Sequence, residues 1–147
     1  ANRALAMSGH VTIITLGVAD VARSTTFYEA LGFQKSSASE DSITFLSAGA
    51  VIVALYGREA LAADAAVPAE GSGFRGVTLA TNMESESQVD ETFAHWVAAG
   101  AASLKQPQAT EWGGYSSYVA DPDGHLWEIA FNPFMQLNPD GSPARPA

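Results

Sequence analysis

The chain contains no cysteine. Disulfides, thiol nucleophiles and zinc–thiolate sites are therefore excluded. Basic residues are scarce, with 7 Lys plus Arg against 16 Asp plus Glu and a formal net charge of −9. Nucleic acid is not an expected partner, because phosphate binding needs a cationic surface. The acidic charge serves solubility and would also favour the approach of a cationic small molecule. No apolar run approaches the ~20 residues needed to cross a bilayer, so no membrane partner is expected. The opening stretch ANRALAMSGH lacks the apolar core of a signal peptide, and a cytoplasmic location is expected. What is present is ordinary for a folded domain. Of 147 residues, 47% are hydrophobic, enough for one domain with a substantial core.

The most informative stretch is WGGYSSYVADPDGHLWEIAFNP, from Trp112 to Pro133. At its centre, Asp121-Pro122-Asp123-Gly124 carries turn chemistry: proline presets one φ, aspartate suits the next position, and glycine tolerates a left-handed conformation. Flanking apolar residues make this a β-hairpin with a three-residue loop. That loop sets a register in which Asp121 opposes His125, Ala120 opposes Leu126 and Tyr118 opposes Glu128. Alternation then puts Trp112, Ser116, Tyr118, Leu126, Glu128 and Ala130 on one face. Val119, Trp127, Ile129 and Phe131 fall on the other, which is the better core face. A slip of one residue would exchange the faces.

The chain before this hairpin reads as a repeated pattern. Residues 10–18 form a strand, with Ile14, Leu16 and Val18 on one face and Ile13, Thr15 and Gly17 on the other. Asp20 caps a helix running to about Leu31, and Gly32 ends it. Three short strands follow, at about 33–37, 42–46 and 51–56. A helical turn at about 58–63 leads into an Ala-, Pro- and Gly-rich linker. Residues 74–81 then read as a strand. Ser85 and Gln88 form a capping box, and Val89, Phe93, Trp96 and Val97 give the next helix an apolar stripe. Gly100 stops it, 101–105 is a strand, and the hairpin supplies the last two. The class is therefore α+β. Two βαβββ modules, at about 10–56 and 74–131, form curved mixed sheets around a cleft. A linker at about 57–73 joins them, and residues 132–147 form an extended tail.

Leu16-Gly17-Val18-Ala19-Asp20 with Phe27-Tyr28-Glu29-Ala30-Leu31-Gly32-Phe33 resembles the first module of the vicinal oxygen chelate superfamily. That group contains glyoxalase I, bleomycin and fosfomycin resistance proteins and extradiol dioxygenases. Asp121-Pro122-Asp123-Gly124-His125-Leu126-Trp127-Glu128 resembles its closing hairpin. The resemblance implies a divalent metal held by the first and last strands of each module, but this sequence departs from that pattern. The first-strand position is Ile13, its counterpart in the second module is taken as Gly76, and the last-strand position of the first module is Val53 or Ala54. Glu128 alone remains, so no metal and no cofactor are expected. The histidines do not replace the lost ligands: His10 has the wrong parity, His125 sits in the turn, and His95 lies on a helix.

Parity assigns Ile13, Thr15, Thr78, Trp112, Ser116, Tyr118 and Glu128 to the cleft, with Thr15 and Tyr118 at positions that line the ligand pocket in relatives. Glu128 and Tyr118 are the candidate catalytic pair. A buried Glu128 would suit general acid–base work, with Tyr118 orienting it or donating to an oxyanion. The others are candidate substrate contacts. Three readings follow: a small-molecule-binding protein without a metal; a cofactor-independent lyase or isomerase using Glu128 as base; or a degenerate subunit whose sheets serve dimerisation. Metal-dependent lyase or dioxygenase chemistry returns only if the register is misread. A homodimer is expected under any of them.

Overall fold

The computed structural model describes residues 9–144. The opening stretch read for a signal peptide lies largely outside that range. The first module runs β1 (Ile13–Val18), α1 (Val21–Ala30), β2 (Gln34–Lys35), β3 (Ile43–Ala48) and β4 (Val51–Gly57), followed by the short helix α2 (Arg58–Asp64). The second runs β5 (Leu79–Met83), α3 (Glu86–Ala98), β6 (Ala102–Ala109), β7 (Tyr115–Ala120) and β8 (Leu126–Phe131). Each module folds into one four-stranded mixed sheet, ordered β1-β4-β3-β2 and β5-β8-β7-β6. In both, the first strand lies parallel to the last and the remaining pairs are antiparallel. The duplicated α+β architecture is the one expected from sequence.

The caps explain where the helices begin. Asp20 is extended, and its side chain accepts from the Arg23 amide at 3.0 Å. Ser85 does the same for Gln88 at 3.2 Å. The capping box closes differently from the usual reciprocal pair, because Gln88 reaches past Ser85 and accepts from the Glu84 amide at 2.8 Å. Gly32 and Gly100 end α1 and α3 at φ +100° and +119°, a region that L side chains avoid.

Four strands differ from expectation, the first of them β1, which begins at Ile13 rather than at residue 10. The second module's first strand begins at Leu79 rather than Phe74, because Gly73 and Gly76 take φ of +78° and +80° and interrupt extension. Sheet-edge β2 shrinks to Gln34–Lys35. Its counterpart at the edge of the second sheet, β6, is longer than expected and includes Pro107, tolerated because the pairing with β7 shifts register between Lys105 and Gln108.

The core lies on the helix side of both sheets. Leu46, Leu55, Val18, Val89, Val119 and Ile129 are fully buried there. Each such side chain contributes roughly 1.5–3 kcal/mol through removal from water. Between the modules, Phe27, Tyr28, Phe33, Trp96 and Trp127 form a continuous aromatic cluster, with the Trp96 and Trp127 rings 5.2 Å apart.

The hairpin loop joins the modules. Asp121 Oδ1 accepts from the amides of Asp123 and His125, and its Oδ2 accepts from the Tyr28 hydroxyl at 2.6 Å. Asp123 accepts from the Ala19 amide at 2.8 Å, the Ser24 hydroxyl at 2.9 Å and Arg23 at 3.1 Å. His125 Nε2 donates to the Gly17 carbonyl at 2.7 Å. The loop of the second module is thus tied to the end of β1 and the start of α1.

Candidate functional site

The β7–β8 register follows the loop. Asp121 N donates to His125 O at 2.9 Å, Gly124 turns at φ +84°, and Ala120 pairs with Leu126. Tyr118 therefore pairs with Glu128, and Ser116 with Ala130. Val119, Trp127 and Ile129 point into the core, so Ser116, Tyr118 and Glu128 stand on the opposite, inner face.

On that face Glu128 is half-buried, and its Oε2 accepts from the Ser116 hydroxyl at 2.6 Å. The bond fixes the carboxylate's orientation and leaves its other oxygen for a ligand. Partial burial, and then the adjacent Glu128 charge, raise the Tyr118 phenol above the ordinary tyrosine range. Tyr118 is therefore a neutral hydroxyl at physiological pH and can donate to a ligand.

The remaining candidates are placed less closely. Ile13 and Thr15 lie on the inner face of the first sheet, paired with Ile52 and Ala54. Thr78 precedes β5. Trp112 stands outside β7, beyond Gly113 at φ +96°, so strand parity does not extend to it. It is 49% exposed, and its ring folds over Gly114. The structure thus unites Ser116, Tyr118 and Glu128, and among the described residues no hydrogen bond joins them to Ile13, Thr15, Thr78 or Trp112.

A cavity of about 970 Å³ lies along the edge strand β5 and is lined from both of that strand's faces, including Ala80, the strand partner of Glu128, but not by Ser116, Tyr118 or Glu128 themselves. Phe33, Trp96 and Trp127 line it, together with Ile14, Leu79 and part of the tail. Of the candidates, only Thr78 borders it. No pattern in the sequence marks this space, because residues distant in the chain, from the β3–β4 turn, α3 and the tail, line it together.

Comparison with known proteins is decisive for the family. The family model described as the Glyoxalase/Bleomycin resistance protein/Dioxygenase superfamily matches residues 8–129. The chain belongs to this superfamily. A glyoxalase-related enzyme from Fulvimarina pelagi is 35% identical at a TM-score of 0.84, over 95% of this chain and 100% of that one. Protein ATC0852 from Agrobacterium tumefaciens is 33% identical at a TM-score of 0.69, over 83% and 96% of the two chains. A lactoylglutathione lyase from Agrobacterium tumefaciens is similar in fold at 19% identity and a TM-score of 0.64, over 85% and 95%. No curated protein matches the chain.

The superfamily's metal can be tested against the residues present. Val18 precedes the cap Asp20 by the same interval as Met83 precedes the cap Ser85. Counting back, Thr15 corresponds to Ala80 and Ile13 to Thr78, which corrects the earlier assignment to Gly76. Ala80 pairs with Glu128 as Thr15 pairs with Ala54. Ala54 is therefore the Glu128 counterpart, and Val53 is a core residue. The four positions hold Ile13, Ala54, Thr78 and Glu128, a single carboxylate where a divalent ion wants three or more strong donors. Among the described residues no group of three or more His, Asp or Glu side chains could hold a metal ion. The donor set does not fit the superfamily's metal.

Proposed function

We propose that this superfamily member binds a small organic ligand on the inner faces of its sheets, without a metal. The observation that carries the reading is the trio on β7 and β8. Glu128 is held by Ser116, paired with Tyr118, and left without partner donors at the other three ligand positions. One carboxylate oxygen, a phenol and a hydroxyl can orient a polar or cationic group, with Ile13 and Thr15 of the first sheet and Thr78 as further contacts. Trp112 belongs to the proposal as an exposed aromatic edge. A homodimer and a cytoplasmic setting are parts of the same proposal. Ile13 and Ile52 pair on the inner face and remain 43% and 37% exposed, a surface that a second copy would cover.

The second reading is a cofactor-independent lyase or isomerase with Glu128 as general base. The neutral Tyr118 beside Glu128 favours it, since a phenol can donate to a developing oxyanion. One experiment separates the two. A small-molecule library is screened by amide chemical shift against the wild type and Glu128→Gln, and every binder is then incubated with both proteins. Binding reads as shifts at Ser116, Tyr118 and Glu128 that weaken in the variant, with the ligand recovered unchanged. Consumption by the wild type alone would establish the second reading. A library with no binder at these residues would remove both.

A further inference from the structure

The two modules meet at two pseudo-equivalent junctions, and these are built differently. At one, the β7–β8 loop is tied to the end of β1 by Asp123 and His125. At the other, the β3–β4 turn Ala48-Gly49-Ala50 and strand β5 line one cavity, and the turn carries no acid and no histidine. The 970 Å³ cavity occupies this second junction. The tail closes part of it. The Asp140 carbonyl lies 3.1 Å from where a Cβ would stand on Gly49, and Met135 and Leu137 border the space.

Its floor is apolar and aromatic, formed by Ile14, Phe33, Leu79, Trp96 and Trp127. Among the described residues its charged lining has one sign: Glu91 and Asp140 border it, and no described lysine or arginine does. His95 Nε2 donates to the Ala30 carbonyl at 2.9 Å, so its free Nδ1 is an acceptor when the ring is neutral. Hydrogen bonds from Ser142 hold the Asp140 carboxyl below the ordinary aspartate range, so it stays charged at neutral pH. The volume suits a drug-sized molecule.

We propose that this cavity, whose lining does not include Ser116, Tyr118 or Glu128, is a second ligand site for a lipophilic ammonium compound with a planar apolar body and one protonated amine. The body would rest on the aromatic floor, and the amine would face Glu91 and Asp140. The chain's net charge of −9 favours the same class of ligand on approach. The proposal does not depend on the reading of Glu128.

The test uses the full chain and two tricyclic probes of similar shape, cationic 9-aminoacridine and anionic anthracene-9-carboxylate. Binding is followed by calorimetry and amide chemical shifts. The cation should bind with shifts at Thr92, His95 and Leu137, and the anion should bind far more weakly. Glu91→Lys, an exposed substitution, should weaken the cation about ten-fold, and Glu128→Gln should leave it unchanged. Equal affinity for both probes, insensitivity to Glu91→Lys or no binding of the cation would overturn the proposal. So would shifts centred on Ser116 and Glu128 that vanish in Glu128→Gln, or a dimer that buries Glu91 and excludes the probe.

Discussion

The Tyr28 hydroxyl donates to Asp121 at 2.6 Å and accepts from Trp127 Nε1 at 3.1 Å. One phenol from the first module thus satisfies a buried carboxylate and a buried indole of the second. Removing it strands both partners in the core, which is costlier than losing one bond. Tyr28→Phe should destabilise the fold by about 2–4 kcal/mol. In denaturant the midpoint should fall with an unchanged slope. A loss well below 1 kcal/mol would mean that water or another side chain replaces the phenol.

The same residue contributes to the loss of stability at alkaline pH. Burial, and then the Asp121 charge, raise the Tyr28 phenol far above its ordinary value of 10.0. Above that pH the unfolded chain releases the proton while the folded chain keeps it. The unfolded state is then favoured, and stability falls as pH rises. The contribution is complete below about pH 10 and declines above it, by at most about 1.4 kcal/mol per pH unit for this group. Unfolding midpoints measured across that range should show the decline, and it should be shallower in Tyr28→Phe.

Asp123 ties the hairpin loop to α1 through three donors. Its bond to exposed Arg23 contributes little, while the bonds to the Ala19 amide and Ser24 carry more. Asp123→Ala should cost about 1–3 kcal/mol, and Arg23→Ala under about 1 kcal/mol. Thermal unfolding of the two variants checks the order. Equal losses would place the lock in the ion pair instead.

The Asp123 lock also shows what the sequence could and could not disclose. The Asp-Pro-Asp-Gly turn, the β7–β8 register and the Asp20 and Ser85 caps rest on local chemistry, and all four appear in the structure. Asp123 read only as a good turn residue, because its partners lie about a hundred residues away. His125 read as a turn histidine, although its ring joins the modules. Strand β5 starts later than its composition suggests, since nothing in GSGFRGVTLAT announces that Gly73 and Gly76 turn left-handed. Parity identified the Ser116, Tyr118 and Glu128 face but failed for Trp112 once Gly113 broke the strand. The large cavity was invisible to any pattern of alternation.

Ser116 positions Glu128 through a single short bond. Ser116→Ala should leave the fold within about 1 kcal/mol of the wild type. A ligand bound at Glu128 should lose affinity about five-fold, because its acceptor is no longer held in place. Titration of any inner-face ligand against both proteins checks this. Unchanged affinity would mean that Glu128 is oriented without Ser116.

The central claim is that the superfamily's metal position is empty of ligands apart from Glu128, so the inner face serves organic molecules directly. Its most direct test is the metal content of protein produced in medium supplemented with manganese, iron, nickel and zinc. The account predicts substoichiometric metal that does not change in Glu128→Ala. One equivalent per chain, lost in that variant, would contradict it.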